Sequence, residues 1–219
     1  MYGIYNFVSG PMVWLTFIIF LLGSVYRVYA LFDLTLKKER FILSFMSLKY
    51  SLRSIIHWII PFGSLGWRSQ PVLTIVTFAF HISLFITPLF LMSHVIILNE
   101  GLGISWATVS DSVADIMTLI VLIGAVFFTA RRIIKKDVRF ITSANDFLLI
   151  GIVIAPFVTG FIAYHQFFAY RFMMVLHIVS GEIMLMAIPF TRLSHMLLSP
   201  LTRAYMGSEF GNVRHARDY

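Results

Sequence analysis

Five stretches of this sequence are apolar for about twenty residues or longer, and this constrains the fold more than any other feature. They lie at about 11–32, 71–98, 113–131, 146–168 and 172–198. About 20 apolar residues in a helix cross the hydrocarbon core of a bilayer. In lipid every backbone N–H and C=O must be satisfied within the segment, which selects helices. The expectation is an all-α, integral membrane five-helix bundle forming a single membrane domain over 1–219. Composition agrees: 59% of residues are hydrophobic and only 12% charged, with mean hydropathy +0.87, against about 25% charged in soluble domains. These figures exclude an ordinary cytosolic enzyme, a nucleic-acid-binding domain and a disordered chain. A length of 219 residues leaves no room for a separate soluble domain beside five spans. Met1–Gly10 has no basic n-region or cleavage motif, so no signal peptide is expected. Cysteine is absent, which excludes disulfides, thiolate-held iron–sulfur clusters and cysteine-based zinc sites from this chain.

The longest polar connection, about 33–70, joins spans one and two. Within it the run SIIHWII is too short to span, and Arg53, Pro61 and Gly63 bracket it. The segment about 40–68 is therefore expected to lie in the interface as an amphipathic helix, with Trp58 and Trp67 at headgroup level. The cations then set orientation. Of 17 Lys and Arg residues, all but Arg171 fall on one side of a five-span arrangement: at 27–68, at 131–139 and from 192 onward. The opposite loop between spans two and three carries Glu100, Asp111 and Asp115 and no cation. By the positive-inside rule the N-terminus is expected outside, and the tail 199–219 in the cytoplasm.

Of seven histidines, four lie in spans two and five: His81, His94, His177 and His195. Ionisable residues inside a bilayer are costly and commonly functional. Antiparallel running of the two spans puts His81 with His195 at the cytoplasmic depth and His94 with His177 at the outer depth. Each pair offers two imidazoles to one haem iron. His177 and His195 are 18 residues apart, five full turns, so one unbroken helix would present both on one face. His81 and His94 are 13 apart, about 140° short of alignment, with Pro88 between them to kink or reset the helix. The two separations correspond to roughly 27 Å and roughly 20 Å of helix rise, a mismatch for tilt to absorb.

The last span carries His177, Gly181 and the run Pro189-Phe190-Thr191-Arg192-Leu193-Ser194-His195. This resembles the final helix of the gamma subunit of respiratory nitrate reductase. Gly23-Ser24 with Arg27 in span one, and the Thr142 to Asp146 approach to span four, are similar too. The resemblance runs from about residue 11 to about 205. It implies a five-helix, di-haem b-type cytochrome, with His81 and His195 on one haem and His94 and His177 on the other. The His81–His94 spacing is longer than in that subunit and the loop between spans four and five is shorter. A gamma-like subunit of another complex fits better. In size and layout the chain looks like the membrane cytochrome b of the high-molecular-mass cytochrome c complex of sulfate-reducing bacteria.

Other residues complete the expectation. Arg27 and Arg192 are candidates to pair with haem propionates, ordinary positive-inside anchoring being the alternative for Arg27. Gly181, beside Ser180, leaves room for a flat macrocycle or for close helix packing. Glu182 is the one acid well inside span five, either a proton relay or an acid satisfied by a neighbouring hydroxyl. A quinone, menaquinone or similar, is assigned to His94, Asn99, Glu100 and His165; facing headgroups or another subunit is the plainer reading of His165. His57 and His215 read as surface residues, and the methionines as adaptable packing. The expected function is a di-haem electron-transfer subunit of a quinone-linked oxidoreductase in the bacterial cytoplasmic membrane. Its expected partners are a cytoplasmic iron–sulfur subunit, other membrane subunits and a periplasmic multihaem cytochrome c. The alternatives are a haem-free membrane anchor and a small transporter, the latter with few midspan polar groups to support it.

Overall fold

A computed structural model describes Tyr2–Tyr219 and is helical throughout, with no strand among the described residues. Met1, where the signal-peptide reading begins, lies outside them. Five helices are long and apolar enough to cross a membrane: Gly3–Lys38, Pro71–Phe90, Asp111–Ile134, Ala144–Tyr164 and Tyr170–Phe190. This is the layout of a multi-pass membrane protein, and each of the five apolar stretches has its helix.

The first span begins as α1 (Tyr2–Phe7), loosens into a π turn at Val8–Met12 and continues as α2 (Val13–Lys38). Pro11 lies in the π turn; it has no N–H to give and its ring crowds the preceding turn, a recognised cause of such a bulge. The polar connection forms α3 (Leu48–Ile59) and the short α4 (Leu65–Ser69). The expected amphipathic helix is thus present and begins earlier than the run SIIHWII. The remaining elements are α5 (Pro71–Phe90), α6 (Met92–Leu102), α7 (Asp111–Ile134), α8 (Lys136–Phe140), α9 (Ala144–Tyr164), α10 (Tyr170–Phe190) and α11 (His195–Ser208).

Contacts divide the chain into two compact units, one of the residues up to Thr74 with Glu182–Tyr219, the other Ile75–Gly181. In the first, α3 crosses α11 closely because small residues meet there. A Cβ on Gly207 would lie 2.5 Å from Ser54 Cβ and from the Tyr50 carbonyl oxygen. Ser51 Oγ lies 2.9 Å from Ser208 Oγ and donates to the Ala204 carbonyl at 3.0 Å. Gly23 of α2 packs on the Pro189-Phe190 pair, where an added Cβ would stand 2.9 Å from each ring. In the second unit α7 packs along α9, and Gly124 accepts the Phe80 ring of α5, which would be 2.8 Å from a Cβ there. Ser143 donates through both N and Oγ to Asp146 Oδ2, at 2.8 and 3.0 Å, closing the start of α9.

Two spans end sooner than the sequence suggests. The second stops at Phe90, because Leu91 is extended (φ −67°, ψ 129°), and α6 starts afresh beyond it. The fifth stops at Phe190; Thr191 is extended, its hydroxyl accepts from Leu193 N at 3.2 Å, and a 3-10 turn leads into α11. The five-turn relation between His177 and His195 therefore does not hold, since no single helix contains both. The first part of the tail folds within α11 and packs against α3.

Candidate intramembrane histidine site

The break at Leu91 explains how His94 is placed. Pro88 has no N–H, and the turn after it leaves three successive carbonyls without helical partners. Each finds another donor: Pro88 O accepts from His94 Nδ1 at 2.8 Å, Leu89 O from Trp106 Nε1 at 2.7 Å, and Phe90 O from Val109 N at 2.9 Å. The loop that closes on the break starts at Gly103, whose φ of +68° ends α6 in the left-handed region that glycine alone adopts freely. No single straight helix therefore carries His81 and His94, and the break falls three residues after Pro88.

His177 approaches from α10. Its Nδ1 bonds to the Pro156 carbonyl of α9 at 2.8 Å. Gly160, one turn along α9, makes that approach possible, since a Cβ there would lie 2.9 Å from both His177 Cε1 and Nδ1. The His94 and His177 rings end with centroids 5.9 Å apart and planes within 15°. Both are half-buried.

His81 and His195 share one property with this pair. Their Nδ1 atoms bond to the carbonyls of Thr77 at 2.7 Å and of Arg192 at 2.9 Å. A carbonyl oxygen only accepts, so in all four rings Nδ1 carries a proton, and in the neutral imidazole Nε2 is the nitrogen left with the lone pair. This is the tautomer control that metal-binding histidines receive from their outer partners. His57 has the same bond to Arg53 O at 3.0 Å, but its ring is covered by Tyr219 at 3.8 Å, so the bond alone does not mark a ligand.

Gly181 follows His177 by one turn on the same face, and a Cβ there would meet nothing within 4 Å. Arg27 and Arg192 are exposed. Glu182 is 4% exposed and neither of its carboxylate oxygens has a hydrogen-bond partner among the described residues, so the neighbouring hydroxyl expected for it is not there. Asn99 and Glu100 stand exposed near the end of α6. His165, at the end of α9, lies 3.2 Å from Asp115 by Nε2 and stacks on Phe167, with ring centroids 5.4 Å apart. No hydrogen bond or ring contact joins His165 to His94, Asn99 or Glu100 among the described residues.

Sequence reasoning missed Gly160, Pro156 and Asp115. The Ala-Pro-Phe-Val-Thr-Gly run of span four was the available signal, since a Pro and a Gly one turn apart inside a span mark a place where another chain comes close. No group of three or more His, Cys, Asp or Glu among the described residues is arranged to hold a metal ion by itself.

An all-helical, multi-pass membrane protein with a pair of near-parallel imidazoles is the class that fold and site define. No family model matches the chain. It is 35% identical over 214 residues to a protein of Nitratidesulfovibrio vulgaris (strain Hildenborough), the match covering 96% of this chain and 95% of that one. The chain belongs to the same family as that protein.

Proposed function

We propose that this protein is a di-haem b-type subunit that carries electrons across a bacterial cytoplasmic membrane. The observation that carries the reading is the His94–His177 pair, with ring centroids 5.9 Å apart and planes within 15°. His94 and His177 would hold an iron through Nε2, the ring nitrogen that their Nδ1–carbonyl bonds leave free in the neutral imidazole. Two imidazoles that bond to carbonyls through Nδ1, with open space beside Gly181, are a donor set that fits a haem. The second pair, His81 and His195, is carried over from the resemblance to the nitrate reductase gamma subunit, and that resemblance is its support.

When bound, a haem supplies one-electron redox chemistry, and the chain performs no bond chemistry of its own. Its residues hold and tune. The carbonyls of Pro88 and Pro156 orient the rings of His94 and His177 and hold a proton on Nδ1 of each. Arg27 and Arg192 are exposed cations on the side assigned to the cytoplasm, suited to propionate carboxylates. His165, bonded to Asp115, is placed to take or give a proton at the outer end, where a quinone would use His94, Asn99 and Glu100. The cation distribution supports an outside N-terminus, with the basic connections toward a cytoplasmic iron–sulfur partner and the outer face toward a multihaem cytochrome c.

A reduced-minus-oxidised spectrum of the purified protein tests this. Two b-type haems per chain are expected, and the absence of an α-band would end the reading. Replacing His177 and His195 separately should remove one haem each; retention of both in either variant would refute the ligand assignment.

A further inference from the structure

A second feature, on α3 and α11, stands apart from the histidines and does not depend on the haem reading. Two guanidinium groups converge there on one carboxylate. Asp218, its side chain 2% exposed, accepts from Arg203 Nη2 at 2.9 Å and from Ser54 Oγ, while its Oδ1 lies 3.8 Å from Arg53 Nη2. The Arg53 guanidinium is sandwiched between the rings of Tyr50, 4.8 Å away, and Tyr219, 5.1 Å away. Gly211 makes room for it, since a Cβ there would fall 2.8 Å from Arg53 Nη2.

The pocket is incompletely matched. Two fixed positive charges face one negative charge. Arg53 Nε, Arg53 Nη2 and Arg203 Nε are buried without acceptors, and Asp218 Oδ1 without a donor. Buried N–H groups of a cation are costly when left unmatched. A flat carboxylate supplies two oxygens, whereas a phosphate supplies three or four in a tetrahedral array that guanidinium forks recognise. The helix bearing Arg53 also has an apolar outer face: Leu48, Leu52, Ile56 and Ile59 recur at helical spacing, each about half exposed or more. An amphipathic helix of this kind lying in the interface would carry its cations at the depth of lipid phosphates.

We propose that Arg53 and Arg203 form a binding site for a phosphate group, that of an anionic phospholipid headgroup, and that Asp218 is an internal competitor occupying it. Besides these charged groups the segment Arg214–Tyr219 is held by Tyr219 against the His57 ring at 3.8 Å, by Ala216 N donating to Phe210 O at 2.8 Å and by Arg214 bonded to Glu209, contacts that loosen when a competing anion displaces Asp218.

The test uses the full chain in a neutral detergent, titrated with dihexanoyl phosphatidic acid, with inorganic phosphate and with dihexanoyl phosphatidylcholine. Displacement is read as faster trypsin cleavage after Arg214 and Arg217, both exposed. Phosphatidic acid should accelerate cleavage saturably and at lower concentration than inorganic phosphate. Asp218→Asn should lower the half-saturating concentration by about tenfold, the scale of one charge-assisted contact. A tighter response is not something a misfolded variant would mimic. Arg203→Lys, which keeps the charge and loses the fork, should weaken the response. Equal potency of phosphate and phosphatidic acid would overturn the lipid assignment. A cleavage rate indifferent to all three, or an unchanged titration in Asp218→Asn, would overturn the site.

Discussion

His177 is held in place by a carbonyl, a glycine and a second imidazole, and the glycine is the most exposed to test. The Pro156 carbonyl fixes the ring's proton, and His94 lies parallel to it, but only the missing side chain at Gly160 lets α10 bring the ring that close to α9. Gly160→Ala sets a methyl 2.9 Å from two ring atoms. Overpacking of this kind costs about 1–3 kcal/mol when the neighbours cannot yield. The expected outcome is loss of one b-type haem from the difference spectrum, with helix content by circular dichroism unchanged. Gly151→Ala, on the same helix with nothing within 4 Å of the new methyl, should retain both. Equal spectra for the two variants would show that the Gly160 contact does not set the ligand.

Helices were legible in the sequence and their interruptions were not. Apolar length alone marks five spans, because lipid forces such segments to satisfy their own backbone. Where a span stops depends on donors that arrive from elsewhere in the chain. Pro88 signalled a disturbance, but the extended residue is Leu91, and what stabilises it there is the loop carrying Trp106 and Val109. Likewise Thr191 ends α10 inside an apolar run, so His195 begins a new helix rather than closing five turns from His177. Trp106→Phe removes the donor to Leu89 O and should destabilise the break by about 1 kcal/mol, seen as faster amide exchange at Leu91 and Val109. The α3–α11 crossing was hidden for a related reason: Gly207 and Gly211 are spaced for close packing, but nothing nearby in sequence says which helix arrives. Gly207→Ala puts a methyl 2.5 Å from the Tyr50 carbonyl, and loosened packing should speed trypsin cleavage after Arg203. The end of this helix also responds to pH. The Tyr205 hydroxyl first, and Arg214 second, hold the Glu209 carboxyl below its ordinary value of 4.5, and the same bond raises Tyr205 above 10.0. A depressed carboxylate contributes stability above pH 4.5 that is lost as pH falls through its folded value. The raised phenol contributes below pH 10.0 and loses this as pH rises. A spin label at Ala216→Cys should therefore be immobile near neutrality and gain mobility at both extremes, acid first through Glu209.

At the scale of the whole molecule the open matter is direction, and the sequence offers a clean way to read it. The chain has no cysteine, so a single introduced thiol reports its own side of the membrane without a background. The cation pattern assigns the loop between α6 and α7 to the outside and the segment between α7 and α9, with the tail, to the cytoplasm. Ser105, Asp137 and His215 are exposed residues of those three segments. A membrane-impermeant maleimide added to intact cells should label Ser105→Cys at once. Asp137→Cys and His215→Cys should react only after permeabilisation. The choice of Asp137 rather than a neighbouring lysine leaves every topogenic cation in place, so the variant does not disturb the property being measured. The reverse pattern would put the Arg53–Arg203 pocket and the basic connections on the outer face. It would also exchange the depths of His94–His177 and of His81 and His195. A cytoplasmic iron–sulfur partner would then meet the end of the molecule that carries Glu100, Asp111 and Asp115 instead of the cations. Labelling therefore tests at once the orientation and the charge complementarity on which the proposed docking rests.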